Sequence, residues 1–287
     1  MKICFLMYPW EEVKKLDSTL RLIHECVKRG HLVGMTTPER LGIRDSVTMA
    51  NCQIFDRDQK VSASMSSFYK NAVKSWKNVP MAGYDAVFMR ANPPMDPLVL
   101  NFLDSIKDDV FVMNAVKGLR EANNKIYTAA YYDPDHELIP TTHVSKDVDY
   151  LKQIIEESDQ EQMIMKPLDG FGGRGVIIIE KSASKNIKSL LDFYVNNSRP
   201  GEKSQYVILQ EYVPGAEKGD VRVLMLNGEP IASIRRVPSS GDVRSNVSAG
   251  GSVQKYKLTK EEVKFCRKIG EKLVRDGLYF TGLDIIN

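Results

Sequence analysis

The chain has 287 residues, of which 43% are hydrophobic and 27% charged, and its formal net charge at pH 7 is +3. This composition excludes a disordered chain, and the length exceeds one small core, so we expect two or three packed units. The basic residues are scattered along the sequence rather than clustered, which argues against a nucleic-acid-binding stripe.

The spacing of cysteine and histidine gives no sign of a metal site or a disulfide framework. The four cysteines and four histidines form no CxxC, HxxxH or HExxH pair, so we expect reduced thiols, as in a cytoplasmic protein. The short apolar segment Ile3–Trp10 has no cleavage site and precedes two glutamates, which favours a first strand over a signal peptide. No apolar run approaches the roughly 18 residues that span a bilayer. The sequence therefore predicts a soluble, cytoplasmic protein without a membrane or nucleic-acid partner.

The first part of the sequence predicts an open, doubly wound α/β domain over residues 1–122. Strand and helix signals alternate in the order expected for such a sheet. The predicted segments are a strand at Lys2–Tyr8, a helix from Asp17 or Ser18 that ends at Gly30, a strand at His31–Thr36, a strand at Asp85–Arg90, a helix from about Pro97 and a strand at Val110–Asn114. Residues 40–80 are polar and weakly periodic, so their elements are left unassigned.

The remaining sequence predicts a small α+β domain over residues 123–203 and a further domain over residues 204–287. For the first, the predicted elements are strands at Thr141–Ser145, Met163–Lys166 and Val176–Glu180 and helices at Asp147–Glu157 and Asn186–Val195. For the second, they are a strand at Tyr206–Tyr212, a hairpin of Val221–Leu226 and Pro230–Val237 that turns at Asn227-Gly228, a helix to about Asp276 and a strand at Phe280–Ile286. Thr259 and Glu262 predict a capping box at the start of that helix.

A glycine-rich segment between two predicted strands is the most informative part of the sequence. It runs Met165-Lys-Pro-Leu-Asp-Gly-Phe-Gly-Gly-Arg-Gly175, and it fits neither a Walker A motif nor a GxGxxG that opens a helix. Glycines in such a loop let backbone N–H groups fold over phosphate oxygens, and Lys166 would bring an ammonium group to the same place. A glycine-rich hairpin without function is the alternative, and the glycines alone do not decide between the two.

Polar and charged residues beyond this loop extend the candidate site. The edge of the apolar strand around Gln210-Glu211 can bind an adenine, although from this segment alone an ordinary strand with a solvated Glu211 is the better interpretation. Four arginines then lie among glycines, at Arg222, Arg235, Arg236 and Arg244. Guanidinium groups bind carboxylates and phosphates in bidentate fashion. Asp284 ends a strand, where a carboxylate can hold Mg²⁺ against ATP, but a lone aspartate on a strand is more often structural.

Together these segments resemble the ATP-grasp ligases in their order and spacing. The matching segments are Lys125 in Asn123-Asn-Lys-Ile-Tyr127, Lys166 with its glycine loop, Gln210-Glu211, Asp220-Val-Arg222, Arg244-Ser-Asn246 and Gly282-Leu-Asp284. Within that superfamily the chain is similar to the prokaryotic glutathione synthetases, from its first strand to its last residue. Their Met-Arg-x-x-Pro-Pro-x-Asp signature resembles Met89–Asp96, and further matches lie at Lys166–Gly170, Arg236-Val-Pro238 and Ala249-Gly-Gly251.

This resemblance implies an ATP-grasp fold preceded by an open α/β domain that binds substrate. It implies glutathione synthesis from ATP, γ-glutamylcysteine and glycine through an acyl phosphate. The implied ATP-binding residues are Lys125, Lys166, Gly170, Gly172, Gly173, Gln210, Glu211, Tyr212, Val213 and Asp220. The implied substrate-binding residues are Arg90, Arg222, Arg236, Arg244, Asn246, Gly250 and Gly251, with Arg236, Arg244 and Lys166 as the catalytic ones. Asp284 would bind Mg²⁺ or Mn²⁺, and a homotetramer or homodimer is expected.

One departure from the family pattern concerns the end of the sequence. Chains of the family continue for a few tens of residues into a Glu-x-Asn segment that supplies further magnesium ligands, whereas this sequence ends at Asn287. We therefore expect a C-terminal truncation or a loss of those ligands. Two alternatives stay open, namely another ATP-grasp ligase with a different acid and amine, and a nucleotide-binding relative without catalysis. The Met89–Pro94 segment argues against the first, and the intact lysines and arginines argue against the second.

Overall fold

The computed structural model describes residues 1–91, 94–168, 172–196, 204–239 and 250–286. The chain divides into two compact units. The first unit contains residues 1–120 and 272–280, and the second contains residues 121–271 and 281–287. Among the described helices, none has the length and apolar character needed to cross a membrane.

The first unit is built on one mixed sheet. Its elements in chain order are β1 (Lys2–Leu6), α1 (Ser18–Lys28), β2 (Leu32–Thr36), β3 (Leu41–Arg44), β4 (Val47–Phe55), α2 (Met65–Asn71), β5 (Lys74–Pro80), β6 (Ala86–Met89), α3 (Pro97–Asp104), β7 (Phe111–Met113) and α4 (Val116–Glu121). The strands that were predicted here are all present, as are the two predicted helices.

The order of strands in this sheet is β3-β4-β2-β1-β6-β7, with β5 paired to β4. Strand β1 is parallel to both β2 and β6, and β6 is parallel to β7. The chain therefore winds outward from β1 to one side and then to the other, as predicted for a doubly wound sheet, and the direction changes between β1 and β6. The unassigned residues 40–80 form an antiparallel extension of β3, β4, β5 and helix α2.

Strand β1 is apolar from Ile3 to Leu6 because both faces of the sheet are covered. On one face Leu6 packs in a core with Leu103 and Val87, whereas on the other face Phe5 packs with Leu20 and Ile23 of α1. Strands buried on both faces have continuous apolar sequences rather than alternating ones. This explains why a short apolar run was enough to predict the strand.

The second unit contains a four-stranded antiparallel sheet in the order β10-β9-β11-β8. Its elements are α5 (Ile126–Ala129), β8 (Thr142–Ser145), α6 (Val148–Glu157), β9 (Gln162–Pro167), β10 (Ile177–Glu180), α7 (Ile187–Asn196) and β11 (Val207–Glu211). Its core joins Leu151 of α6 and Leu191 of α7 to Met165 and Leu209 of the sheet. Strand β11 lies between β9 and β8, so this sheet continues past residue 203, where the sequence prediction placed a domain boundary.

A second sheet of this unit has the order β14-β13-β12-β15. Its elements are β12 (Asp220–Leu226), β13 (Glu229–Val237), β14 (Ser252–Lys255), α8 (Lys260–Arg275) and β15 (Phe280–Ile285). The predicted turn is confirmed, because Asn227 and Gly228 have φ of 48° and 83°, the left-handed values of a tight hairpin turn. The predicted capping box is also confirmed, since Glu262 N donates to Thr259 Oγ1 and Thr259 N donates to Glu262 Oε2.

Candidate functional site

Lys166 lies at the end of β9, where the register with β11 brings it to Gln210. Ile208 of β11 is the direct partner of Lys166, and Gln210 is the partner of Thr142 in β8. The Lys166 ammonium group donates to Gln210 Oε1 at 2.7 Å, and Gln210 Nε2 donates to Thr142 Oγ1 at 2.6 Å. Three neighbouring strands thus hold the lysine and the glutamine in one hydrogen-bonded chain.

A second lysine meets the chain directly after β9. The Lys125 ammonium group donates to the carbonyl oxygens of Pro167 and Leu168, both at 3.0 Å. The two predicted phosphate-binding lysines therefore converge on the start of the glycine loop, although they lie 41 positions apart in the sequence.

The electrostatics of this place favour an anion. Burial lowers the pKa of Lys166 to about 8, and the positive charge of Lys125 contributes in the same direction. Among the residues that the structure describes, no carboxylate forms an ion pair with Lys166, whose ammonium group donates to the neutral Gln210 side chain. A partly buried cation without a counter-ion gains free energy when an anion binds beside it.

The glycine loop adopts a backbone that requires glycine. Gly172, Gly173 and Gly175 have φ of 69°, 76° and 69°, a region that other residues rarely occupy. A side chain at Gly175 would also lie 3.1 Å from the Pro167 ring. These glycines thus have a conformational reason to be present, and Gly170 lies outside the described residues.

The segment predicted to bind adenine follows directly on β11. Glu211 pairs with Thr141, since Glu211 N donates to Thr141 O at 3.0 Å and Thr141 N donates to Glu211 Oε2 at 3.3 Å. The Tyr212 hydroxyl donates to Glu217, and the Val213 carbonyl accepts from Ala216 N. Glu211 is therefore tied to its own sheet, and the adenine-binding role of residues 210–213 stays a prediction.

Arginine and aspartate side chains form a network on the second sheet. Asp220 and Arg236 face each other across β12 and β13, with Arg236 Nε 2.6 Å from Asp220 Oδ1 and Arg236 Nη2 2.8 Å from Asp220 Oδ2. Asp284 of β15 joins them, because its Oδ1 lies 2.9 Å from Arg236 Nη2 and its Oδ2 accepts from Arg222 Nη2 at 3.0 Å. Burial acts to lower the pKa of Arg236, but Asp220 and Asp284 outweigh it and leave this pKa raised.

This network bears on the predicted roles of its members. Arg236 is only 7% exposed and is ion-paired to two carboxylates, so it holds β12, β13 and β15 together in the structure described. Asp284 is half-exposed, and both of its carboxylate oxygens face guanidinium groups. No group of three acidic, histidine or cysteine side chains suited to a metal ion occurs in the described part of the chain.

Arg90 directly follows β6 in the first unit and lies among hydroxyl groups. Its Nε donates to Thr19 Oγ1 and its Nη2 donates to Ser18 Oγ, both at 3.0 Å. Tyr8 lies two residues after β1, and its hydroxyl donates to Asp17 at 2.8 Å. Sequence reasoning identified Arg90 but not Tyr8, Ser18 or Thr19. The sequence signal that could have identified these residues is the run Asp17-Ser18-Thr19 at the start of the helix that follows β1.

Four further predicted site residues lie in or directly after residues 240–249, which the structure does not describe. Arg244 and Asn246 lie outside the described residues, so their predicted roles stay predictions. Gly250 has a φ of 100° and Gly251 directly precedes β14. A side chain at Gly250 would meet Ser239 Oγ at an ordinary contact distance of 3.7 Å, so the backbone conformation alone requires glycine here.

Comparison with known families gives two matches that together cover nearly the whole chain. Residues 1–120 match the N-terminal domain of prokaryotic glutathione synthetase, and residues 124–287 match the ATP-grasp domain of the same enzyme. Among curated relatives, the glutathione synthetase of Gloeobacter violaceus is 31% identical over 297 residues, which cover 100% of this chain and 86% of the relative. That of Agrobacterium fabrum is 32% identical over 274 residues, covering 94% and 80%.

Solved structures share the fold at much lower identity. A RimK domain protein ATP-grasp from Sphaerobacter thermophilus superposes with a TM-score of 0.64 at 13% identity, covering 100% of this chain and 86% of that one. The D-cycloserine synthetase DcsG gives 0.60 at 16% identity, covering 99% and 86%. These likenesses confirm the predicted ATP-grasp fold.

Proposed function

The chain belongs to the prokaryotic glutathione synthetase family, and we propose that it uses ATP to join γ-glutamylcysteine to glycine. Membership of the family makes it an ATP-dependent carboxylate–amine ligase with ATP as co-substrate. The geometry that supports this reaction best is the convergence of Lys125 and Lys166 on the start of the glycine loop.

The two lysines are suited to bind the phosphates of ATP. Lys166 is a partly buried cation that donates to a neutral amide, so a phosphate can bind it without breaking an ion pair of the described residues. Lys125 donates to the two carbonyl groups at the start of the loop, which places its positive charge there. Positive charge and backbone donors at one place favour phosphate oxygens.

The proposed reaction has two displacements. A carboxylate oxygen of the cysteinyl residue attacks the γ-phosphorus of ATP, the bond to the bridging oxygen breaks, and ADP leaves. The amine of glycine then attacks the carbonyl carbon of the acyl phosphate, loses a proton, and expels inorganic phosphate. Neither step needs a nucleophile from the protein, so positioning and neutralisation of charge by lysine and arginine side chains supply the catalysis. Lys166 and Lys125 act on the phosphate that is transferred, and Arg236 and Arg244 are proposed to act on the peptide and the transferring group.

Mg²⁺ or Mn²⁺ is proposed as the accompanying cation, with Asp284 as a ligand from this chain. Mg²⁺ bound with a nucleotide needs only one or two carboxylates in addition to phosphate oxygens. Both oxygens of Asp284 are paired with Arg222 or Arg236, so Asp284 would have to leave one of these guanidinium groups to bind the ion. When bound, the ion would neutralise charge on the phosphates. Arg222 and Arg236 hold the Asp284 carboxylate toward the sheet.

A homo-oligomer and a cytoplasmic location stay predictions from the sequence.

Release of inorganic phosphate tests the proposal. We expect release that requires ATP, γ-glutamylcysteine and glycine together, with a tripeptide of the mass of glutathione as product. The variant Lys166→Met should lower this rate, whereas Lys188→Met is a matched control, since Lys188 is an exposed lysine paired with Asp149 in the same unit. Release with a different acid or amine, and none with these two, would assign the chain to another ATP-grasp activity.

A further inference from the structure

Tyr8 and Arg90 lie where the winding of the first sheet changes direction. Strands β1 and β6 are parallel neighbours with Leu6 opposite Met89, and Arg90 N donates to Leu6 O at 2.7 Å. The carboxyl ends of both strands therefore meet at one edge of the sheet, and α1 begins at the same edge with Ser18. In open α/β sheets, ligands bind in the crevice at this point.

The Arg90 guanidinium is a partly buried cation whose hydrogen-bond partners are neutral hydroxyl groups. Burial lowers its pKa, and the nearby Tyr8 and Asp17 compensate only in part. In the part of the chain that the structure describes, its side chain forms no ion pair, and Asp17 Oδ2 already accepts from Tyr8 and from Lys14 N. The charge of Arg236, by contrast, is balanced by two carboxylates. The unbalanced charge of Arg90 favours the binding of an incoming carboxylate.

The hydroxyl groups of Ser18 and Thr19 orient the Arg90 guanidinium group. Thr19 accepts from Nε and Ser18 accepts from Nη2, so both occupy the same edge of the planar guanidinium group. The opposite end of the group is formed by Nη1 and the second hydrogen of Nη2, and no described residue accepts a hydrogen bond from these two parallel N–H donors. That end matches the two oxygens of a carboxylate. Thr19 is only 2% exposed, so its hydroxyl is fixed by packing.

We propose that Ser18 and Thr19 are positioning residues that hold the Arg90 guanidinium for a carboxylate of the peptide substrate. This inference rests on the function proposed above. Neither residue touches the reacting atoms; each acts through Arg90. Without the hydroxyl groups the Arg90 side chain keeps its charge but loses the orientation that makes the carboxylate contact bidentate.

The test compares Thr19→Val, Ser18→Ala and the double variant with the unaltered protein in the phosphate-release assay. We expect the double variant to raise the KM for γ-glutamylcysteine by about tenfold or more, since it loses an oriented contact to a charged group. The KM for ATP and kcat should change by less than about twofold, because a uniform loss of substrate binding raises KM alone. Thr19→Ser keeps a hydroxyl group and should restore a nearly normal KM.

Two controls separate positioning from a general loss of structure. Thr48→Val removes another buried threonine hydroxyl of the same unit, which bonds Ser105 Oγ, and it should leave the KM for γ-glutamylcysteine unchanged. In an Arg90→Met background, Thr19→Val should add no further rise in KM, since its effect passes through Arg90. A full additional rise would overturn the inference, and so would a double variant with normal KM.

The same assay distinguishes this inference from the function on which it rests. An unaltered protein that releases no phosphate with γ-glutamylcysteine would overturn both. An active protein whose KM for γ-glutamylcysteine is insensitive to Ser18 and Thr19 would overturn the positioning role alone and leave the proposed function in place.

Discussion

Replacing Lys166 with methionine should make the protein more stable and its binding of ATP weaker. Burial lowers the pKa of Lys166 from 10.5 to about 8, and at about 1.4 kcal/mol per unit this corresponds to roughly 3 kcal/mol against the charged form. Below pH 8 the lysine is protonated in both the folded and the unfolded state, so the whole cost is present at pH 7. Methionine has a similar length and no charge, and we expect it to raise the free energy of unfolding at pH 7 by about 1–3 kcal/mol.

The same shift predicts a pH dependence with a definite sign. Because the folded pKa is lower than the unfolded one, the unfolded protein binds more protons between about pH 8 and 10.5. The contribution of Lys166 to stability therefore rises with pH over that window, and Lys166→Met should remove this component. Urea unfolding at pH 7 and pH 9.5, compared between the two proteins, measures it.

Lys166→Met should have the opposite effect on ATP binding, because the ATP phosphates bind the charged form of Lys166. Loss of a charge-assisted contact costs about 1.5–3 kcal/mol, which weakens the binding of ATP by about 10-fold to 150-fold. At pH 8 about half of Lys166 is neutral before ATP binds, so binding should take up about half a proton. Calorimetry in two buffers of different ionisation enthalpy measures this uptake, and Lys188→Met serves as control. Unchanged affinity, or equal proton uptake in Lys166→Met and the unaltered protein, would refute the role of Lys166.

Three other substitutions test the remaining parts of the account. Arg236→Lys keeps the charge but loses the double contact to Asp220. It should lower the free energy of unfolding, measured in urea, by about 1–3 kcal/mol. It should also raise the KM for γ-glutamylcysteine while ATP binding stays nearly intact. Collapse of ATP binding would contradict that assignment. Thr259→Ala removes the capping box of α8 and should cost about 1 kcal/mol of stability without a change in kcat. Asp284→Asn should weaken the binding of Mn²⁺ with ATP, measured by electron paramagnetic resonance, and an unchanged affinity would exclude Asp284 as a ligand.

Local signals made most of the elements predictable from the sequence. The strand at β1 is a short apolar run, the turn at Asn227-Gly228 needs left-handed backbone, and the capping box of α8 is contained within four residues. Each of these is decided by neighbours in the sequence. Strand β4 was missed because polar side chains such as Asn51 and Gln53 interrupt its apolar pattern.

The candidate site was predictable in its residue types but not in its contacts. Lys166 and Gln210 meet only because of the register of β9 and β11, and that register depends on the whole sheet. Ser18 and Thr19 reach Arg90 across more than seventy positions of sequence, through the pairing of β1 with β6. The sequence contains no local pattern that couples a helix start to the end of a distant strand.

Transfer of an oxygen isotope tests the central claim, which is that the peptide carboxylate is phosphorylated by ATP. γ-Glutamylcysteine labelled with ¹⁸O in its cysteinyl carboxylate is incubated with the protein, ATP and glycine, and the released phosphate is analysed by mass spectrometry. An acyl phosphate places a carboxylate oxygen between carbon and phosphorus, and attack by glycine then expels that oxygen with the phosphate. We therefore predict one ¹⁸O atom in each phosphate released. Unlabelled phosphate would mean that water or another group receives the γ-phosphoryl group, and it would contradict the proposed reaction.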